Sequence, residues 1–133
     1  MKGSCLCGTV AFESDGPAAD FVLDHCSRCR KSTGSAFFAE LVVPLAGFQW
    51  VRGESAIRVY EAPVRETPPG YQRAFCTQCG SPVPMIHSAH GLVSIPAGSL
   101  DDDPGVRPQR HIFVDAKAPW FSIEDSLPKF GRK

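Results

Sequence analysis

The chain has 133 residues, 43% of them hydrophobic and 21% charged, and its 14 Lys plus Arg balance its 14 Asp plus Glu. That composition excludes a disordered or fibrous chain, and the missing basic excess removes nucleic acid as a default partner. The start, Met1-Lys2-Gly3-Ser4-Cys5, has no signal-peptide character and no apolar run approaches a membrane span, so one cytoplasmic domain over residues 1–133 is expected.

Taken in chain order, short segments rich in β-branched and aromatic residues are punctuated by 12 glycines and 12 prolines. They read as strands at Thr9 to Phe12, Phe21 to Leu23, Phe37 to Val43, Gln49 to Val51, Ile57 to Tyr60, Arg73 to Phe75, Leu92 to Ile95 and His111 to Val114. Helical periodicity is limited to single turns at Asp20 to Leu23 and Cys29 to Thr33. The fold class is therefore mainly β, a small antiparallel domain. Arg65 to Gly70 and Leu100 to Pro108 read as exposed loops, because proline removes ladder donors and the Asp101-Asp102-Asp103 run prefers water.

Six cysteines fall as three pairs: Cys5 with Cys7, Cys26 with Cys29, and Cys76 with Cys79, with 18 and 46 residues in the gaps. In a reducing compartment such pairs point to metal binding, and zinc suits thiolates without requiring redox chemistry. Cys5 and Cys7 are read as alternate positions of an extended strand that share a face, whereas Cys76 and Cys79 form a knuckle relaxed by Gly80. Two pairs close a tetrahedral zinc site, so one pair is left over. Next to Cys26 and Cys29, Asp24 lies two residues before Cys26, on the same face of an incoming strand, and supplies a third donor. Three protein donors and an open position are the arrangement of catalytic zinc. His25 should point to the opposite face and pack there. Arg28, Arg30 and Lys31 stand beside this set, where they offset thiolate charge, hold a substrate carboxylate or simply meet solvent.

Four ordered motifs resemble the group of zinc proteins that comprises glutathione-dependent formaldehyde-activating enzymes and centromere protein V. They are Gly3-Ser4-Cys5-Leu6-Cys7-Gly8-Thr9-Val10, His25-Cys26-Ser27-Arg28-Cys29-Arg30-Lys31-Ser32-Thr33-Gly34-Ser35, Phe75-Cys76-Thr77-Gln78-Cys79-Gly80-Ser81, and His111-Ile112-Phe113-Val114 with Lys117-Ala118-Pro119-Trp120. The resemblance implies a folded-sheet β-tent like that of a Rab-exchange accessory protein and of zinc-containing methionine sulfoxide reductases. It also implies that Cys5, Cys7, Cys76 and Cys79 hold a structural zinc and that the Cys26 and Cys29 segment holds a second, catalytic zinc. The family pattern there is Cys-His-Cys-x-x-Cys, and this sequence has Asp24 in place of the first cysteine. A carboxylate is a harder ligand than a thiolate, so the second zinc should be held more weakly.

The implied activity is that of a carbon-sulfur lyase acting on a small thiol adduct such as S-hydroxymethylglutathione, the product of glutathione and formaldehyde. Lys31, Thr33, Gly34, Ser35, His111 and Trp120 are the candidate substrate contacts, Trp120 having a core-closing role as its alternative. The alternative function is a non-catalytic, zinc-stapled β domain that binds a protein partner.

Overall fold

The computed structural model describes residues 1–133 as a mainly β domain of ten strands and one short helix. In chain order these are β1 (Lys2–Ser4), β2 (Ala11–Ser14), β3 (Asp20–Asp24), α1 (Ser27–Thr33), β4 (Phe38–Pro44), β5 (Phe48–Arg52), β6 (Ile57–Glu61), β7 (Gln72–Cys76), β8 (Met85–His87), β9 (Leu92–Pro96) and β10 (Arg110–Ile112). All eight expected strands are present. β1 and β8, each three residues long, were not anticipated. The expected turn at Asp20 to Leu23 is strand β3, whereas the one at Cys29 to Thr33 belongs to α1.

Three sheets result, with strand orders β1-β2-β5, β10-β3-β4-β9-β8 and β6-β7. All pairs are antiparallel except β10 with β3. The five-stranded sheet positions the site, and its two faces differ because side chains alternate along each strand. Pairing of Phe21 with Leu41, of Leu41 with Ile95 and of Val43 with Val93 gathers one face into an apolar core completed by Phe12. The other face carries Asp20, Asp24, Glu40, Ser94 and Arg110. Two of these pair in a bidentate ion pair, Arg110 with Asp20 at 2.7 Å. A second apolar cluster of Cys5, Val10, Ala74, Cys76 and Val83 joins the N-terminal sheet to β7.

The acidic run is exposed as expected and its carboxylates serve local contacts: Asp101 accepts from the Ser4 hydroxyl, Asp102 from the Lys2 N–H, and Asp103 pairs with Arg107.

Candidate metal centres and active site

The first cluster forms from two turns that meet across the second apolar cluster. Cys5, Cys7, Cys76 and Cys79 place their Sγ atoms within 4.8 Å of one another. Cys5 to Cys7 is 3.6 Å and Cys7 to Cys76 is 3.9 Å. A tetrahedral zinc with Zn–S bonds of about 2.3 Å has sulfur-sulfur edges of about 3.8 Å, so the quartet fits that ion.

The route to this geometry differs from the extended-strand expectation. β1 stops at Ser4, and Cys5 to Gly8 form a turn in which Gly8 N–H donates to Cys5 C=O at 3.0 Å. The second turn is as expected: Gly80 takes φ 75 and its N–H donates to Cys76 C=O at 2.7 Å. Val10 N–H donates to Cys5 Sγ at 3.3 Å, and the hydroxyls of Thr9 and Ser81 lie 3.1 and 3.2 Å from Cys7 and Cys79. The Ser81 hydroxyl, followed by backbone N–H groups, draws Cys79 down to about 5, and Thr9 lowers Cys7 in the same way. Contacts of this kind favour thiolates, the form that binds a metal.

The second cluster is built at the end of β3. Asp24, Cys26 and Cys29 bring their donor atoms within 4.8 Å of one another. Cys26 is the N-cap of α1, with its Sγ accepting from Cys29 N–H at 3.2 Å. Asp24 Oδ1 accepts from Cys26 N–H at 2.8 Å, which leaves its second oxygen for other partners. Cys26 and Cys29 Sγ stand 2.9 Å apart, so the thiols must part by about 1 Å to span a zinc edge. The Cys29 thiol, hydrogen-bonded to Cys26, lowers Cys26 to about 7, and the same bond with burial pushes Cys29 up. Burial raises Asp24. The donor chemistry is compatible with zinc, and three donors leave one side of such an ion open.

The three residues line a pocket of about 830 Å³ together with Arg28, Glu40 and Tyr71 among others. Burial pushes Tyr71 up to about 12, so its phenol is uncharged near neutrality. Its hydroxyl lies 2.9 Å from Ser32 Oγ and accepts from Arg73. The Arg28 guanidinium stacks over the Tyr71 ring at 5.3 Å. Of the loop Arg65 to Gly70, expected to be exposed, residues 65–69 are exposed and contribute Arg65, Glu66, Thr67 and Pro69 to one wall, whereas Gly70 is buried with its N–H donating to Glu61.

The expected substrate contacts lie elsewhere. Thr33 and Ser35 line a different cleft, of about 610 Å³, beside Cys5, Leu6 and Ser81. Thr33 turns its hydroxyl back onto the Cys29 carbonyl at 2.8 Å, and Gly34 at φ 68 ends α1. Lys31 is exposed on the last turn of α1. Trp120 is 72% exposed and does not line the pocket; Phe121 takes the inward position, 5.7 Å from Phe37 and 6.1 Å from His25. His111 is corrected by register: β10 pairs it with Leu23, one residue off Asp24, so its ring sits on the opposite sheet face.

On that face His25 is fully buried, as its alternation with Asp24 predicted. His25 Nε2 lies 2.8 Å from His111 Nδ1, and His111 Nε2 lies 2.9 Å from Asp125. Asp125 accepts from His111 Nε2–H, which leaves Nδ1 to accept from His25 Nε2–H. Burial, then His111 and Lys117, lower His25 to about 4, so it stays neutral. The relay anchors the turn between two donors, Asp24 and Cys26. Tyr71, Glu40 and Asp125 were missed because no local spacing marks them. Only Arg28 had a signal, its place in the Cys-x-x-Cys turn.

With the geometry in place, comparison with known proteins is direct. A curated relative from Halomonas elongata, provisionally named a glutathione-dependent formaldehyde-activating enzyme, is 31% identical over 128 residues, covering 93% of this chain and 81% of the relative. A crystal structure of a Rhodobacter sphaeroides protein superposes with a TM-score of 0.57 at 25% identity, covering 81% of this chain and 92% of that one. The model of the glutathione-dependent formaldehyde-activating enzyme family matches residues 1–116, and the chain belongs to that family.

Proposed function

We propose that the protein is a zinc-dependent enzyme of carbon-sulfur lyase type that forms or cleaves a small thiol adduct such as S-hydroxymethylglutathione. The observation that carries this reading is the contrast between the clusters. Four thiols gather within 4.8 Å of one another, enough donors to close a tetrahedral site, whereas Asp24, Cys26 and Cys29 offer three donors and line the 830 Å³ pocket. Under this reading Cys5, Cys7, Cys76 and Cys79 hold a structural zinc, and Asp24, Cys26 and Cys29 hold the second. A zinc ion there supplies Lewis acidity to a thiol or an aldehyde oxygen.

In the forward direction the thiolate sulfur adds to formaldehyde carbon, a carbon-sulfur bond replaces the carbonyl π bond, and the oxygen takes up a proton. The chain's own part is positional. β3 and the cap of α1 fix the donors, the His25–His111–Asp125 relay stiffens the turn between them, and Tyr71 with Arg28 shapes the wall where a thiol adduct would lie. The concave pocket favours an enzyme over a flat partner-binding module.

The test has two parts. Elemental mass spectrometry after zinc loading should find two zincs per chain, falling to one under a mild chelator. Exchange NMR should then show faster S-hydroxymethylglutathione formation with the two-zinc protein than without protein. One zinc under all conditions, or no acceleration, would refute the proposal.

A further inference from the structure

The segment Asp125–Lys133 lies beyond the residues that the family model matches, yet its last three residues, Gly131, Arg132 and Lys133, line the pocket. Its backbone runs along β10. His111 N–H donates to Pro128 C=O at 2.8 Å, Phe130 N–H to His111 C=O at 3.0 Å, and Phe113 N–H to Arg132 C=O at 2.9 Å. Lys129 is thereby paired with His111 in parallel, and the tail covers the otherwise free edge of the five-stranded sheet. Asp125 pins its near end through His111 Nε2.

Two backbone positions permit this approach. Phe113 takes φ 53, a left-handed conformation uncommon outside glycine. Gly131 passes so close to Asp115 that an added Cβ would stand 2.7 Å from the carboxylate. The result brings Arg132 and Lys133 to a pocket that Asp24, Cys26 and Arg28 also line.

The pocket is lined by four cations, Arg28, Arg65, Arg132 and Lys133. None belongs to any of the three ion pairs in the molecule. Four acidic side chains also line the pocket: Asp24, a candidate metal ligand, Glu40, which accepts from the Ser94 hydroxyl, Asp115 beside Gly131, and Glu66 on the exposed loop, and none of them stands in an ion pair with the four cations. The cations line the pocket without an ion-pair partner, and Arg28 is already oriented by its stack on Tyr71.

We propose that Arg132 and Lys133 of the tail, with Arg28 on α1, form a carboxylate-binding subsite that selects thiols bearing carboxylates over neutral ones. A guanidinium offers a planar fork that matches a carboxylate, and an arginine already held in place gives up less freedom on binding. The subsite rests on the reading of this pocket as the substrate pocket.

The probes are glutathione and its diethyl ester, which share the thiol and differ in the carboxylates. The comparison is between the zinc-loaded wild type and the double variant Arg132→Gln with Lys133→Gln, whose backbone ladder is intact. The ratio of kcat/KM for glutathione over the ester should fall about tenfold, mostly through KM, as expected for loss of a charge-assisted bond. Arg28→Gln should move the ratio the same way. An unchanged ratio would overturn the subsite while leaving the proposed activity standing. If the wild type shows no turnover the activity reading fails by itself, and calorimetric titration with S-methylglutathione then decides. Binding about tenfold weaker in the double variant supports the subsite, and equal or undetectable binding overturns it.

Discussion

Asp24 is the residue on which the proposed second centre turns. It is 8% exposed, its carboxyl is raised by burial, and one of its oxygens is committed to Cys26 N–H. Replacing it with a softer thiolate should tighten zinc. Asp24→Cys is expected to retain its second zinc at chelator concentrations at least about tenfold higher than the wild type tolerates, measured by competition with a colorimetric chelator; equal retention would show that Asp24 is not a ligand. His25 makes a separate prediction. Its folded value of about 4 lies below the ordinary imidazole value of 6.5, so between those pH values the unfolded chain takes up a proton that the folded one refuses. Stability from this group is whole above pH 6.5 and is lost as pH falls towards 4, by on the order of 3 kcal/mol. Urea midpoints should therefore drop more steeply from pH 6.5 to 4.5 in the wild type than in His25→Asn, and equal slopes would contradict the burial argument.

At the scale of elements, the five-stranded sheet does two jobs because its strands alternate. Leu41 sits on the central strand β4, is fully buried, and contacts the core formed by Phe12, Phe21, Val43, Val93 and Ile95. Leu41→Ala should cost about 2–5 kcal/mol in chemical denaturation with zinc bound, because the packed strands around it can only partly collapse into the void. The opposite face of the same strands carries Asp24 and Glu40 towards the pocket. Enrichment in β-branched and aromatic residues made the strands legible, as in Phe38 to Pro44 where Glu40 is the one charged residue, and the Cys-x-x-Cys turns announce their own geometry. The Cys5-Leu6-Cys7 turn was misread as strand because either conformation brings thiols two residues apart to one ion. The position of His111 was open to sequence reading for a different reason. Whether its ring joins Asp24 depends on the register of β10 against β3, which are 86 residues apart, and no local pattern encodes that.

For the whole molecule, the two clusters should have unequal consequences. Cys7 and Cys76 are 69 residues apart in sequence, so a metal held by the quartet closes a long loop and ties the N-terminal turn to β7. Metal binding in small zinc domains contributes on the order of 10 kcal/mol to folding. Cys76→Ser should accordingly lower the melting temperature sharply or abolish folding, whereas Cys26→Ser should fold with one zinc and lose activity. Thermal melts paired with zinc analysis check this, and the reverse ranking would exchange the roles of the two clusters. The tail adds a constraint of the same scale: its ladder on β10 joins the last residues of the chain to the pocket built by β3 and α1.

Composition and spacing alone determined the mainly β class, eight of the ten strands, the three cysteine pairs and the grouping of Asp24 with Cys26 and Cys29. Those features arise from neighbours within a few residues, where backbone geometry decides which side chains share a face. The tertiary structure decided which surfaces meet. It set His111 behind the sheet, Thr33 and Ser35 in another cleft, Trp120 in solvent, and Tyr71, Glu40, Arg132 and Lys133 around the pocket. Those placements follow from strand register and from packing between residues far apart in sequence, and such long-range pairing leaves no periodic trace in the chain.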